Sequence, residues 1–184
     1  MTLKPTAIVT ASSGSSSDED TALCVGCGLC CDGTLYSRVR AEVEEEARLE
    51  KLGHQLTSVE GSRYFLLPCQ HHESGRCSIY QERFAKCRSF ECALLRRYED
   101  GELDLAEART KIRTAKELLA RIKVIAPADL SQKSRADYRA RLESDLARTY
   151  GDDGEAVARQ LVQVIALETY LDRWFLNKRS QTHS

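Results

Sequence analysis

All eight cysteines of this 184-residue chain lie between Cys24 and Cys92, and the rest of the sequence has none. Their share of the chain is well below the roughly 8–10% that marks a disulfide scaffold in a short secreted protein. In a reducing compartment, where disulfides do not persist, such clustering is more typical of a metal site than of a set of bridges. The distribution therefore predicts a metal-binding module in the first half of the chain.

The spacing of the cysteines indicates how they could share metal ions. The first four follow the pattern C-x2-C-x2-C-C, and two intervening residues let both sulfurs of a C-x2-C pair reach one ion. Adjacent side chains tend to point in different directions, so the Cys30-Cys31 pair favours two metal centres, or one polynuclear centre, over a single four-cysteine site. The candidate ligands are Cys24, Cys27, Cys30, Cys31, Cys69, Cys77, Cys87 and Cys92.

Eight thiolates supply two sets of four, the number taken by a tetrahedral Zn²⁺ ion or by an iron-sulfur cluster. Spacing does not decide between zinc and iron-sulfur, although the glycine-rich loops and the Cys-Cys pair favour the cluster. Thiolate ligands leave net negative charge that nearby cations must offset. The cations available around the later cysteines are Arg63, Arg76, Arg83, Lys86 and Arg88.

Two histidines lie between Cys69 and Cys77. His71 or His72 could replace a cysteine as ligand or donate a hydrogen bond to a thiolate, but a solvated loop position is the simpler expectation. His54 and His183 have no neighbouring cluster of chemically active residues in the sequence.

Further motif elements follow the C-x2-C-x2-C-C run: Pro68-Cys69, Cys77-Ser78-Ile79-Tyr80, Arg83, Cys87-Arg88 and Cys92. Together they resemble the CxxCxxCC family of zinc- or iron-chelating proteins, also called the YkgJ-type cysteine cluster family. The resemblance covers Cys24 to Cys92 and implies that all eight cysteines bind metal. One departure is Arg83-Phe84, where the family usually has Arg-Pro, which leaves the helix start or turn there less defined.

Two classes of function are expected. The first is a metal-binding accessory or interaction module, because closed four-sulfur sites usually stabilise folding. The second, which the resemblance implies, is an iron-sulfur-dependent redox or methyl-transfer enzyme, because similar cysteine modules occur in flagellin lysine methylase-like proteins, whose cluster is described as iron-sulfur.

The predicted fold is mainly α. An irregular cysteine-rich metal-binding module with a short β-hairpin is followed by a helical, bundle-like C-terminal half. We expect a disordered tail at 1–20, a metal-binding domain at 21–100, a helical region at 101–179 and a short tail at 180–184.

In the first half, Val39, Val43 and Ala47 recur at helical spacing and predict an amphipathic helix over 37–52, with the glutamates of 42–46 on a solvated face. The segments 55–59 and 63–67 predict the hairpin. The pattern from 77 to about 98 is helical with interruptions at the ligand candidates.

In the second half, helices are expected at 105–122, about 134–150 and about 155–177. Asp104 should cap the first of these helices and Pro127 should stop it. The last helix is apolar nearly all round at its centre, which predicts that it is the most buried. Trp174 and Phe175 near its end are candidate anchors for a protein partner, although such aromatics more often belong to a core.

Composition excludes several other functions. Lys and Arg number 27 against 28 Asp and Glu, so nucleic acid is not an expected partner. No stretch approaches the roughly 20 apolar residues of a membrane helix, and the first ten residues lack the apolar segment of a secretory signal, so we expect a cytoplasmic protein.

No phosphate-binding loop and no C-x3-C-x2-C motif of radical S-adenosylmethionine enzymes is present. A thiol-disulfide oxidoreductase based on Cys24-x2-Cys27 is disfavoured, since the strand-helix-strand pattern of that fold is missing.

Overall fold

The computed structural model of the chain describes residues 23–125, 135–148 and 152–176. The fold is mainly helical, as the sequence predicts, and its first half contains two small antiparallel sheets where the sequence predicts a single hairpin. The strands are β1 (Arg38–Arg40), β2 (Leu56–Val59), β3 (Ser62–Leu66), β4 (His72–Glu73) and β5 (Arg76–Cys77). The helices are α1 (Glu46–Lys51), α2 (Ala85–Ser89), α3 (Ala93–Glu99), α4 (Leu105–Ile125), α5 (Arg135–Leu146) and α6 (Asp152–Trp174). The predicted tails, Pro127 and the predicted end of the second long helix lie outside the described residues.

The predicted hairpin is present as β2 and β3, which turn at Glu60 and Gly61, both with positive φ. A third strand, β1, joins them in the order β1-β3-β2, and Val39 lies opposite Phe65. The two-residue strands β4 and β5 form a separate pair, in which His72 lies opposite Cys77.

The prediction of a helix over 37–52 is wrong for the first half of that range. Residues 38–40 form β1, a 3-10 turn covers Val43–Glu45, and the α-helix begins at Glu46. The spacing of Val39 and Val43 fits a helix, but Val39 packs against the sheet core and Val43 is exposed. Tertiary strand pairing therefore overrides a short local pattern, because Val is also a good strand former.

The glutamates of this segment are not simply solvated. The Glu45 carboxylate accepts hydrogen bonds at 2.8 and 3.1 Å from the backbone N–H of Ala85, the first residue of α2. Glu42 forms an ion pair with Lys86 at 3.0 Å. These contacts fix the short helix that carries Cys87 against the sheet.

Phe84, at the position where the resemblance implies proline, precedes the first residue of α2. Its φ of −60° is close to the value that a proline ring imposes, so the backbone adopts the turn without the ring. The Phe84 side chain is buried against Phe65 and His54. The substitution thus retains the helix start and adds an aromatic ring to the core.

The chain builds two hydrophobic cores. The helical core joins the loop around Leu29 to α3, α4, α5 and α6, and the sheet core consists of Ala41, Leu49, Phe65 and Phe84. The Asp104 cap is confirmed: Glu107 N donates to Asp104 Oδ1 at 2.7 Å, and Asp104 N donates to Glu107 Oε2 at 2.9 Å. This reciprocal capping box starts α4.

The last helix, α6, buries one face. That face packs on α4 and α5, while Val162 on another face is 60% exposed. Phe175 is 1% exposed and belongs to the helical core, which confirms the simpler expectation for this aromatic residue. Trp174 is partly buried, with Lys111 over its ring at 4.2 Å.

None of the helices within the described ranges combines the length and the apolar character needed to cross a bilayer.

We predict that Phe65→Ala lowers the free energy of unfolding by about 3–5 kcal/mol, because the ring is 1% exposed in the sheet core. Leu66→Ala is the matched control, because Leu66 follows Phe65 on the same strand and is 57% exposed. Its loss should lower the free energy of unfolding by less than about 1 kcal/mol. Urea denaturation followed by circular dichroism measures both values. Equal losses in the two variants would contradict the assignment of the sheet core.

Candidate metal centre

All eight cysteines fall within the described residues and are partly buried free thiols. The first four lie on a loop that folds back on itself: Cys27 N donates to Cys24 O at 3.1 Å, and Cys31 N donates to Gly28 O at 2.9 Å. Gly26 and Gly28 both have positive φ, which the turns require and which glycine adopts readily. The loop thereby brings these thiols near enough for Cys30 to interact electrostatically with the other three.

The first set of thiols, which we call group A, packs against the helical core; its members are Cys24, Cys27, Cys30 and Cys92. Cys92 precedes α3, and its sulfur accepts a hydrogen bond from Leu95 N at 3.4 Å. The next residue, Ala93, donates its N–H to Phe175 O at 3.1 Å. Group A therefore lies where the cysteine loop meets the helical half.

The second set, group B, belongs to the sheet side of the domain; its members are Cys31, Cys69, Cys77 and Cys87. Cys69 N donates to Cys31 O at 2.8 Å, and His72 N donates to Cys69 O at 2.9 Å. His72 in turn pairs with Cys77 across β4 and β5. Cys87 packs against the sheet core together with Leu67 and Ile79, each of which is two residues from a group B cysteine.

The electrostatics of the thiols follow the same grouping. Burial, reinforced by the thiolates of Cys92 and Cys24, raises the pKa of Cys27 to about 12. Burial also raises the pKa of Cys87 to about 12, with contributions from the other three group B thiolates, Cys31, Cys69 and Cys77. Burial raises the pKa of Cys31 to about 12 as well, reinforced by Cys77 and Cys69. Without a cation, these thiols are therefore neutral at neutral pH.

Cys30 and Cys31 connect the groups. Burial raises the pKa of the Cys30 thiol well above its usual range, and the neighbouring thiolates add to the effect; in order of strength they are Cys92, Cys27, Cys31 and Cys24. Three of these four neighbours belong to group A. The Cys30 side chain is thus surrounded by group A, with group B next to it.

Backbone N–H groups face several sulfurs. The N–H of Leu29 donates to Cys27, and the N–H of His71 donates to Cys69. Each hydrogen bond lowers the pKa of its thiol, although burial raises that pKa by more. Leu95 and Leu94 do the same for Cys92. Such N–H donors stabilise negative charge on sulfur and are typical partners of metal-bound thiolates.

Each group also has a cation beside it. Lys116 on α4 donates to Gly26 O within the group A loop, and its charge lowers the pKa of Cys27. Arg83 lowers the pKa of Cys31 and of Cys87 in group B. Of the cations expected from sequence, Arg83 takes this role, whereas Arg63 is engaged by Glu46 and Glu50 at 3.0 Å.

Within the described residues, no group of three or more Cys, His, Asp or Glu side chains is placed so that it could hold a metal ion as it stands. The thiols of each group are near enough for their charges to interact, and they supply the sulfur donors that zinc and iron accept in fours. The donor set fits a four-thiolate metal centre, provided that the side chains move closer together on binding.

A model of the CxxCxxCC family, described as a "putative zinc- or iron-chelating domain", matches residues 23–117, a little over half of the chain. The chain belongs to the CxxCxxCC family. Neither the curated proteins nor the solved structures gave a match. The family match extends beyond Cys92 through α3 and most of α4. The motifs alone covered only Cys24 to Cys92, so part of the helical half also belongs to the CxxCxxCC domain.

The histidines of the CxxCxxCC domain are less exposed than the sequence suggests. The Nε2 atoms of His54, His71 and His72 are buried and have no hydrogen-bond partner among the described residues. The His54 and His71 rings lie 5.1 Å apart, so His54 is not isolated from the cysteine module. Burial lowers the pKa of His54, and His71 lowers it further. His183 lies outside the described residues.

Sequence reasoning missed two residues beside group A. Lys116 is 90 positions from the Gly26 carbonyl that it contacts, and no local spacing signals that approach. Burial raises the pKa of Tyr36, and the thiolates of Cys30 and Cys92 raise it further, so the phenol lies beside group A. Tyr36 also packs edge-on against Phe90, with ring centroids 5.1 Å apart.

We predict that Gly28→Ala destabilises the CxxCxxCC domain more than Gly26→Ala does. Both glycines have positive φ, so each substitution carries a backbone cost of about 1–2 kcal/mol. At Gly28 an added Cβ would also lie 2.5 Å from His72 Nε2 and 3.3 Å from Gly75 O, whereas nothing lies within 4 Å at Gly26. Urea unfolding of the two variants measures the difference, and equal destabilisation would show that the loop does not pack against His72.

Proposed function

We propose that this CxxCxxCC domain binds zinc or iron through its eight cysteines and that the metal serves a structural role in an accessory or interaction module. The observation that carries the proposal is that eight free thiols from separated segments come near enough to one another for their charges to interact. The family description supports the same chemistry.

The surroundings of the thiols suit bound thiolates. Backbone N–H groups face Cys27, Cys69 and Cys92, and a cation lies beside each group. A bound metal would supply the positive charge that keeps the thiols ionised and would cross-link the segments that carry them. Because the thiols must draw together to complete a shell, metal binding and the final packing of the domain are one process.

Within this proposal we favour an iron-sulfur cluster over zinc. Gly26 and Gly28 have positive φ, and loops of this kind leave backbone N–H groups available near the sulfurs. Hydrogen bonds to the sulfurs are among the interactions that tune iron-sulfur clusters. We also place the protein in the reducing cytoplasm, where eight free thiols persist without forming disulfides.

The second candidate, an iron-sulfur-dependent redox or methyl-transfer enzyme, requires an open coordination position or an exposed cluster edge. Four cysteines in each group are enough to fill a four-coordinate site, which favours the structural role. A protein partner that binds the C-terminal helices remains a prediction; nucleic acid is not proposed, given a formal net charge of −1.

Anaerobic purification of the full chain, followed by elemental analysis and a visible spectrum, tests the proposal. A brown protein with iron and acid-labile sulfide identifies a cluster, and a colourless protein with bound zinc identifies zinc sites. A chain that contains neither metal, and that takes up neither when refolded with each under reducing conditions, would overturn the proposed function.

We predict that Cys87→Ser lowers both the metal content and the melting temperature, because binding energy is folding energy in such modules. Ser89→Ala is the matched control: it lies on the same helix, is exposed, and should change neither quantity. Elemental analysis and differential scanning calorimetry measure the two effects. Full metal loading with unchanged melting in Cys87→Ser would remove Cys87 from the ligand set.

A further inference from the structure

We infer, building on the proposed function, that the eight cysteines form two separate four-cysteine metal centres. Centre A consists of Cys24, Cys27, Cys30 and Cys92, and centre B consists of Cys31, Cys69, Cys77 and Cys87. The motif spacing leaves this division open, since Cys30 and Cys31 are adjacent and the later cysteines are widely spaced.

Packing against different cores is the first reason for the division. All four centre A cysteines contact the helical core, in which Leu29 of the cysteine loop meets Leu94 and Leu95 of α3. Cys87 of centre B contacts the sheet core around Phe65 and Phe84. A residue packed against one core is held away from the thiols packed against the other, because packed interiors resist displacement.

Backbone hydrogen bonds are the second reason. A continuous chain of backbone contacts links three centre B cysteines. Cys69 N donates to Cys31 O at 2.8 Å, His72 N donates to Cys69 O at 2.9 Å, and His72 lies opposite Cys77 in the β4–β5 pair. Cys92 has no part in this chain; its neighbour Ala93 is bonded to Phe175 O. The backbone thus fixes three centre B cysteines together and fixes Cys92 to the opposite side.

The peptide between Cys30 and Cys31 is the boundary. Cys30 packs against the helical core with the other centre A cysteines, whereas the carbonyl of Cys31 accepts the hydrogen bond from Cys69 N. Because the two residues are consecutive in the chain, the two centres are neighbours in the domain. Two adjacent side chains that separate in this way let one short motif contribute to both centres.

The division gives the centres different mechanical roles. Centre A connects the cysteine loop to α3 and, through Lys116 and Phe175, to the neighbourhood of α4 and α6. Centre B connects the same loop to β4, β5 and α2. Loss of one centre should therefore loosen its own half of the domain first.

Double variants test the division with Zn²⁺ as the probe, added to the metal-free full chain under anaerobic, reducing conditions. The wild type should bind about two zinc ions per chain, one per four thiolates. Cys24→Ser with Cys92→Ser, and Cys69→Ser with Cys87→Ser, each disable one centre and should retain about one ion. The matched control, Cys24→Ser with Cys87→Ser, also removes two thiols but disables both centres, and it should retain close to none.

The outcomes separate the division from the proposed function. Equal zinc content in the same-centre and cross-centre variants would overturn the division while leaving metal binding intact. A wild type that binds no zinc and no iron would instead overturn the proposed function itself.

A measurement on the wild type keeps the test decisive if a double variant fails to fold. The zinc-loaded chain is challenged with a chelator and alkylated at intervals, and mass spectrometry reads the modification of each cysteine. The division predicts that reactivity rises in two sets of four with the memberships given above. Any other grouping, such as Cys24 rising with Cys87 or all eight rising as one set, would overturn it.

Discussion

Eight thiols confined to one small domain repel one another as soon as they ionise, and burial opposes their ionisation further. Cys27, Cys31 and Cys87 each have a pKa raised to about 12 by burial together with neighbouring thiolates. Lys116 and Arg83 oppose this effect at a few positions, but one cation cannot balance four thiolates. Under the proposed function, bound metal ions supply the missing charge.

The domain combines a helical core and a sheet core, and the cysteine loop contributes to both. Leu29 is buried in the helical core, while Cys31, two residues later, accepts a hydrogen bond from Cys69 on the sheet side. The sheet core has only four buried residues among those described, and small domains commonly require metal or disulfide links to compensate. In this account the metal centres serve as those links, which explains why ligands come from segments far apart in sequence.

The sequence was sufficient to predict features that depend on local chemistry. The β2–β3 hairpin and the Asp104–Glu107 capping box follow from residues a few positions apart, and both are present. Features that depend on tertiary packing could not be predicted in this way. Val39 lies in a strand because Phe65 is opposite it. Phe175 is buried because it packs within the helical core, and Lys116 reaches Gly26 across 90 positions. The assignment of Cys92 to one group and Cys87 to the other has the same origin.

X-ray absorption at the zinc or iron edge of the purified full chain tests the central claim most directly, because it reads the atoms bound to the metal. The account predicts a first coordination shell made of sulfur, with about four sulfur atoms at roughly 2.3 Å from each metal ion. A first shell dominated by oxygen or nitrogen would show that the thiols do not hold the metal, and the account would be wrong.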